Sequence, residues 1–139
     1  MKLPIQVNGK TVEIELTKDQ IALVKKANQK ITDRIKTEED IWREAGYDED
    51  DWNDLHIFDQ LAELVKIVNE GWTPDWNDSS QYKYEPYFKW NGSAFVFCNC
   101  YYRWIQVTFV SSQLCFKNSE LATYAGKQFD YLYNKILSL

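Results

Sequence analysis

Two tryptophans four residues apart, surrounded by polar side chains, form the most distinctive stretch of the chain, GWTPDWND at residues 71–78. Tryptophan rings stack on flat ligands, and neighbouring carboxylate and amide groups can bind a ligand's polar atoms. Loops with this composition often carry binding sites. The ligand-binding candidates in this stretch are Trp72, Asp75, Trp76, Asn77 and Asp78.

The same stretch also has a structural interpretation, which the residue types favour. Thr73 precedes a proline and is pushed towards an extended conformation, while Pro74 and Asp75 suit the centre of a type I turn. Asx side chains commonly accept hydrogen bonds from backbone amides nearby in sequence. Trp72 and Trp76 would then pack at a corner between a helix layer and a sheet.

A dense acidic segment lies in the first half of the chain. Residues 38–54 contain nine Asp and Glu residues and one basic residue, Arg43. Charge runs of this kind usually form a solvated helix face. Two tryptophans within the segment allow a second interpretation, because exposed tryptophan is typical of protein interfaces. The candidates for contacting a basic protein partner are Trp42, Asp50, Asp51 and Trp52.

The residues that could bind a metal or act as a nucleophile have unsuitable spacing. Cys98, Cys100, Cys115 and His56 could supply four zinc ligands, but zinc fingers and ribbons use cysteine pairs with at least two residues between them. A cysteine nucleophile needs a basic partner, and His56 is the only histidine. Residues 75–86 begin like a calcium-binding EF-hand loop but lack its central glycine and final glutamate. We therefore expect no metal, no cofactor, no catalytic residue and no enzymatic activity.

Composition and charge restrict the class of protein. The chain has 139 residues, 16% aromatic residues and a formal net charge of −5. An acidic surface disfavours non-specific binding to nucleic acids, although a nucleotide pocket needs only local chemistry. Three cysteines, the lack of an apolar leader after Met1 and the lack of a long apolar run lead us to expect a cytoplasmic protein without a membrane segment.

Hydrophobic spacing predicts the elements of the first half. Asn8-Gly9 between alternating apolar residues predicts a β-hairpin. Thr17 and Thr37 are each followed three residues later by a capping partner, which predicts two helix starts. The first helix should extend to about Lys36, and the second should cover residues 38–45 and end at a glycine. The acidic run at residues 48–51 suits the start of a third helix, which should continue to Val68, with Gly71 at its C′ position.

The second half changes to a period of two and holds 12 of the 22 aromatic residues within positions 72–104. Asn91-Gly92 predicts a two-residue turn, in which Phe88 faces Phe95. In that register Cys98 and Cys100 lie on the more polar face, together with Lys83 and Glu85. Further strands at residues 105–109 and 114–116 would complete a meander, and Ser119 would cap a last helix.

This order of elements predicts an α+β protein. It should comprise an N-terminal β-hairpin, two to three helices, an aromatic-rich antiparallel β-meander and a C-terminal helix packed on the sheet. We expect a single domain over residues 1–139. Its hairpin and acidic helices lie in residues 1–70, and its aromatic sheet and last helix lie in residues 71–139.

Three blocks of the second half resemble a family of small uncharacterised proteins from gut anaerobic bacteria, their prophages and their phages. The blocks are W-T-P-D-W-N-D, Y-F-K-W-N-G-S-A-F-V-F and L-C-F-K-N-S-E-L-A-T-Y-A-G-K-Q-F-D-Y-L-Y. The likeness covers about residues 68–136. The family has no established activity, so the resemblance implies a phage or mobile-element setting and carries over no catalytic residue.

We therefore expect a non-enzymatic adaptor that binds a host or phage protein in the bacterial cytoplasm through its acidic helical half. Two alternatives remain open. The first is a binding protein for a nucleotide-like small molecule, held by Trp72 and Trp76. The second is a structural component of a virion. The residues do not indicate an oligomeric state.

Overall fold

The computed structural model describes residues 1–103 and 112–138, and its fold is mixed α+β, as the sequence predicts. The strands are β1 (Lys2–Val7), β2 (Lys10–Glu15), β3 (Lys83–Trp90) and β4 (Phe95–Arg103). The α-helices are α1 (Lys18–Asn28), α2 (Ile31–Arg34), α3 (Glu38–Ala45), α4 (Glu49–Asp54), α5 (Ile57–Val68), α6 (Ser119–Gln128) and α7 (Asp130–Leu137). A 3-10 turn covers Ser112–Leu114. The strand expected at residues 105–109 lies outside the described residues.

The chain divides into two compact units, residues 1–34 and residues 35–139. The first unit carries seven Lys and Arg residues against four Asp and Glu residues, whereas the second carries nine against seventeen. The acidic excess of the chain therefore belongs entirely to the second unit. Within residues 1–103 and 112–138, no helix has the length and apolar character that a membrane crossing requires.

The first unit confirms the expected hairpin. Val7 pairs with Lys10, so the loop contains only Asn8 and Gly9. Both loop residues have positive φ angles, 51° and 75°, which is the type I′ geometry that matches the strand twist. Neither strand contains a buried residue, and α1 contains none.

The helix after this hairpin begins as expected but ends early. The Thr17 hydroxyl accepts a hydrogen bond from the Gln20 amide at 3.2 Å, and the Gln20 side chain accepts from the Thr17 amide at 2.9 Å. The expected extension to Lys36 is wrong, because Gln29 is extended and α2 is a separate turn. The polar run at residues 28–30 offers no apolar side chain that could hold a longer helix against a core.

The second capping box is confirmed at the start of α3. The Thr37 hydroxyl accepts from the Asp40 amide at 3.2 Å, and the Asp40 carboxylate accepts from the Lys36 and Thr37 amides, each at 2.9 Å. At the other end, Gly46 has a φ of 87°, and the Tyr47 amide donates to the Trp42 carbonyl oxygen at 2.9 Å. Glycine adopts this left-handed conformation without strain, so it ends the helix where the sequence predicts.

The capping carboxylate gives the fold a defined pH dependence. Burial acts to raise the pKa of Asp40, but the Lys36 and Thr37 amides outweigh it and hold the pKa below its usual value. The stabilisation is therefore present above the unfolded pKa of about 3.9, and it is lost as pH falls through the lower folded pKa. We expect Asp40→Ala to lower the free energy of unfolding by about 1 kcal/mol at pH 7.

Urea denaturation at pH 7 and near pH 2 measures this effect. The difference between the variant and the parent should shrink by more than half at the lower pH. Asp54→Ala, which removes an exposed carboxylate at the end of α4, serves as the control and should change stability little at either pH. An equal loss at both pH values for Asp40→Ala would contradict the capping role.

The long helix expected after the acidic run is in fact two helices. The Asp48 carboxylate caps α4 by accepting from the Asp51 amide at 2.9 Å. Leu55 is then extended, and the His56 Nδ1 accepts from the Phe58 amide at 3.2 Å to cap α5. A residue that caps a new helix competes with continuation of the old one, which explains the break.

The end of α5 differs from the expectation by one residue. Glu70 occupies the C′ position with a φ of 53°, and Gly71 follows with a φ of 82°. The Gly71 amide donates to the Lys66 carbonyl oxygen at 3.3 Å, and the Glu70 amide donates to the Ile67 carbonyl oxygen at 2.9 Å. These two bonds form a Schellman motif.

The turn of the second hairpin is longer than the sequence predicts. The expected two-residue turn at Asn91-Gly92 is wrong, because Trp90 pairs with Phe95 and the loop covers residues 91–94. The Asn91 side chain causes this, since its Oδ1 accepts from the amides of Ser93 and Ala94, each at 2.9 Å. Phe88 consequently faces Phe97 instead of Phe95.

A bulge then shifts the register again. Phe88 pairs with Phe97 but Tyr87 pairs with Asn99, so Cys98 is an extra residue in β4. Beyond it, Glu85 pairs with Tyr101 and Lys83 pairs with Arg103. The two-residue turn would instead have paired Glu85 with Cys98 and Lys83 with Cys100, so that predicted register is wrong. An extra residue reverses the faces of all residues that follow it in the strand.

The helices α6 and α7 pack on one face of this hairpin, as expected for the C-terminal helical part. A Cβ atom on Gly126 would lie 2.5 Å from the Phe97 ring and 2.8 Å from the Pro86 side chain, so only glycine allows this approach. The Asn134 side chain accepts from the Phe95 amide at 2.9 Å and donates to its carbonyl oxygen at 2.6 Å. The last helix is divided at Phe129.

The N-cap of α6 is one residue earlier than expected. The Asn118 side chain, and not Ser119, accepts from the Leu121 amide at 2.9 Å.

The apolar core of the second unit consists of residues from its helices and from the segment before α6. Its buried members are Ile35, Ile41, Trp52, Leu61, Leu64, Val65, Val68, Cys115, Phe116, Leu121, Ala122, Ala125, Phe129, Leu132 and Tyr133.

The segment before α6 connects α5 to the hairpin. The buried Asn69 side chain donates to the Cys115 carbonyl oxygen at 2.9 Å and accepts from the Lys117 amide at 3.1 Å. Phe116 exchanges two backbone hydrogen bonds with Tyr84, at 2.7 and 3.0 Å. The strand expected at residues 114–116 is therefore reduced to a single bridge.

Candidate functional site

A cleft on the acidic helices contains part of the expected partner surface. Its volume is about 390 Å³, and we call it the acidic groove. The lining residues come from α3 and α4, and they are Glu38, Glu39, Trp42, Arg43, Glu49, Trp52 and Asn53. Three carboxylates therefore face one guanidinium group and an aromatic wall.

The two tryptophans of the acidic segment have different roles. Trp42 is half-buried and lines the acidic groove, with the Arg43 guanidinium 5.4 Å from its ring centroid. Trp52 is only 1% exposed, and its ring lies 6.2 Å from that of Tyr47. Its indole N–H donates to the Glu38 carboxylate at 2.7 Å. Trp52 is therefore a core residue that leaves almost no surface in the groove, and its contact with a partner stays a prediction.

The acidic residues at the start of α4 are exposed beside the groove. Asp50 and Asp51 lie in the first turn with Glu49, where the partial positive charge of the helix N-terminus favours them. None of the three forms an ion pair with any residue of the described ranges. Of the three, Glu49 lines the acidic groove together with Trp42.

The tryptophans of the opening stretch line a second cavity, of about 450 Å³, which we call the aromatic pocket. Three sections of the second unit form its walls: α5, the loop after α5 and the segment that contains Cys115. The lining residues are Ala62, Val65, Lys66, Asn69, Gly71, Trp72, Thr73, Pro74, Trp76, Gln113 and Cys115. Trp72 and Trp76 are therefore brought together at one cavity.

The polar candidates of that stretch do not line the pocket. Asp75, Asn77 and Asp78 are exposed and are not among its described lining residues, so their role as ligand contacts stays a prediction. The Asp75 carboxylate accepts from the Asn77 amide at 2.8 Å. The Asp78 carboxylate accepts from the Ser80 hydroxyl at 2.6 Å, and this bond together with the Ser80 amide lowers the pKa of Asp78. The turns lie at residues 76–77 and 79–80, not at Pro74 and Asp75.

A buried ionic cluster behind the pocket was missed by the sequence-based interpretation. Its buried members are Lys83, Glu85 and Arg103, and Tyr101, which is exposed, lies on the same face of the hairpin. Glu85 accepts from the Tyr101 hydroxyl at 2.7 Å and forms an ion pair with Arg103. Lys83 is 1% exposed, and its ammonium donates to the carbonyl oxygens of Asp78 and Gln81 at 3.1 and 2.9 Å. Alternation alone predicts Lys83 and Glu85 on the more polar face, so no local signal indicated their burial.

The three thiols and the single histidine are separated in the structure. Cys98 is exposed on the bulge, Cys100 is partly buried beside α6, and Cys115 is fully buried. Burial raises the pKa of Cys115 to about 11, so it is a neutral thiol at pH 7. His56 caps α5. Over residues 1–103 and 112–138, no three His, Cys, Asp or Glu side chains are grouped so that they could hold a metal ion.

Comparison of the chain with protein-family models, with curated proteins and with solved structures gives no match. The resemblance to phage proteins therefore stays a prediction. Two surfaces of the second unit, the acidic groove and the aromatic pocket, are the candidate binding sites.

Proposed function

We propose that the protein is a non-enzymatic adaptor, encoded by a phage or mobile element, that binds a basic segment of a protein partner in the bacterial cytoplasm. The observation that carries this proposal is the position of Trp42 in the acidic groove. A half-buried indole ring stands beside three carboxylates, and the groove itself supplies only one cation, Arg43. Tryptophan is among the residue types that most often dominate the binding energy of a protein interface, and the carboxylates around it would attract a basic partner.

The charged side chains that line the groove differ in whether they have an ion-pair or hydrogen-bond partner. Arg43 pairs with Glu39 and also lies over Trp42, so its charge is already shared. Glu38 accepts from the Trp52 indole, and the Lys135 ammonium lies 4.0 Å from it. Glu49 has no such partner among the described residues. A lysine or arginine of the partner would find the free carboxylate of Glu49 there, together with the face of Trp42.

This chemistry favours a basic partner over a neutral one. A cation above a tryptophan ring contributes about 0.5–2 kcal/mol, depending on how far it is desolvated. Exposed acids around the groove, including Asp50 and Asp51, raise the association rate of a basic partner more than its final affinity. Binding should therefore weaken as salt is added, because the Debye length falls from about 10 Å at 0.1 M to about 3 Å at 1 M.

Charge reversal tests this proposal. We expect the double variant Asp50→Lys and Asp51→Lys to reduce capture of the partner from host lysate at least tenfold, and Glu49→Lys to do the same. The matched control is Glu120→Lys, since Glu120 is an exposed acid in the first turn of α6. All these variants lose similar helix-dipole stabilisation, about 0.3–1 kcal/mol for each reversed charge. Quantitative mass spectrometry of captured proteins at two salt concentrations measures the effect.

Two tryptophan variants, one at the groove and one control, test whether the Trp42 ring contacts the partner. Trp42→Ala should remove most of the capture, whereas Trp90→Ala should leave it unchanged, although Trp90 is 57% exposed at the end of the hairpin. Equal capture by the parent and the charge-reversed protein would overturn the proposal. Capture that does not depend on salt would also contradict it, and recovery only in phage particles would favour a virion component instead.

A further inference from the structure

The aromatic pocket has the size and walls of a small-molecule site. Its volume of about 450 Å³ falls within the usual range for ligand cavities, roughly 300–1,000 Å³. The rings of Trp72 and Trp76 and the ring of Pro74 supply flat apolar surface, while Val65 and Ala62 add the side of α5. Surfaces of this kind bind planar molecules by stacking and by exclusion of water.

Buried polar groups hold the walls of the pocket in place. The Lys83 ammonium lies 5.1 Å from the centroid of the Trp76 ring and is itself fixed by two backbone carbonyl oxygens. The side chain of Asn69, which is a lining residue, binds both the Cys115 carbonyl oxygen and the Lys117 amide. A buried cation and a buried amide that fix the walls reduce the ordering cost that a ligand would meet.

The charge of the lining restricts the ligand. Among the described residues that line the pocket, Lys66 is the only basic one, and none is a carboxylate. This is unusual in a unit with seventeen Asp and Glu residues against nine Lys and Arg residues. The Lys66 side chain is 70% exposed at the rim, where its ammonium lies 3.6 Å from Glu63. An anionic group on a ligand could compete for this ammonium, whereas a cationic group would be repelled by it and would find no carboxylate among the described lining residues.

We infer that the aromatic pocket is a binding site for a flat aromatic molecule that is neutral or carries a single negative charge. This is the small-molecule alternative raised by the tryptophan spacing, now narrowed by the charge of the pocket. It does not rest on the proposed adaptor function, because the acidic groove lies on α3 and α4 and shares no lining residue with the pocket.

Three naphthalene compounds with different charges test the inference. Each is titrated into ¹⁵N-labelled protein, and the indole N–H signals of Trp72 and Trp76 are followed by NMR. The compounds are 2-naphthoate, 2-naphthamide and 2-naphthylmethylammonium. We expect the acid and the amide to bind with a Kd on the order of 1 mM, the value for ligands of about 13 heavy atoms at modest efficiency. The ammonium compound should bind at least threefold more weakly than the acid.

Two variants and one control distinguish binding in the aromatic pocket from non-specific binding elsewhere on the protein. Lys66→Gln should remove most of the advantage of the acid over the ammonium compound, whereas Lys89→Gln, at an exposed position on β3, should preserve it. Ala62→Leu fills the pocket from α5 without removing either tryptophan, so it should abolish the shifts in a protein that still unfolds cooperatively. Equal binding of all three compounds would overturn the inference. Equal shifts at Trp42 and Trp90, or no shift at Trp72 and Trp76, would do so as well.

Discussion

Trp52→Ala is expected to lower the free energy of unfolding by about 3–5 kcal/mol, the range for removal of a buried large aromatic side chain. Trp52 is 1% exposed and packs beside Tyr47. The change also removes the hydrogen bond from its indole to Glu38. Trp42→Ala should cost far less, because Trp42 is only half-buried. Urea denaturation followed by circular dichroism measures both variants.

A conservative variant separates packing from hydrogen bonding at this position. Trp52→Phe keeps most of the apolar volume and loses the indole N–H, so it should cost less than Trp52→Ala. Equal losses for Trp52→Ala and Trp42→Ala would show that the burial of Trp52 is not important for stability. The difference between Trp52→Ala and Trp42→Ala also matters for the partner-capture experiment. If Trp52→Ala failed to bind a partner, the cause would be unfolding and not a lost contact.

Glu85→Leu is expected to destabilise the protein by about 3–5 kcal/mol, because it removes the carboxylate that forms a buried ion pair with Arg103. Glu85 and Arg103 are 9% and 8% exposed, so water cannot replace the lost carboxylate. The Tyr101 hydroxyl loses its acceptor in the same variant. Thermal unfolding and urea denaturation at pH 7 measure the effect.

A double-mutant cycle tests whether the loss of stability comes from breaking the ion pair between Glu85 and Arg103. Glu85→Leu combined with Arg103→Met replaces the ion pair by apolar side chains of similar length, which is often neutral or even stabilising in buried positions. The double variant should therefore be more stable than Glu85→Leu alone. Additive losses would contradict the view that the two charges compensate each other, since independent sites add and coupled sites do not.

The sequence predicts the parts of this fold that depend on short-range chemistry. The Asn8-Gly9 turn, the Thr17 and Thr37 capping boxes and the Gly46 helix end all follow from residues within a few positions of one another. In each case one side chain satisfies a particular backbone group or allows a particular φ angle. Such effects need no knowledge of the rest of the chain.

The register of the second hairpin could not be predicted in this way. An Asn-Gly pair favours a two-residue turn, but the Asn91 side chain accepts two amides and holds a four-residue loop. The bulge at Cys98 then exchanges the two faces of β4. Both changes are small locally, yet together they decide which side chains meet across the sheet.

The burial of Lys83 illustrates why candidate sites are harder to predict than elements. A lysine in an alternating strand is expected at the surface. Here the preceding loop supplies the carbonyl oxygens of Asp78 and Gln81 and the ring of Trp76. The structural and ligand-binding interpretations of residues 71–78 are therefore compatible, since the Asx groups organise a loop whose tryptophans line a cavity.

The bulge in β4 has a consequence for thiol chemistry. It leaves Cys98 exposed and turns Cys100 towards α6, where its sulfur lies 3.8 Å from the Ser119 carbonyl oxygen and 3.7 Å from the Thr123 hydroxyl. Cys115 is enclosed in the core. Alkylation kinetics therefore distinguish three kinds of motion in one chain. Cys98 reacts at the rate of a surface thiol, Cys100 reacts when α6 separates from the hairpin, and Cys115 reacts at the rate of global unfolding.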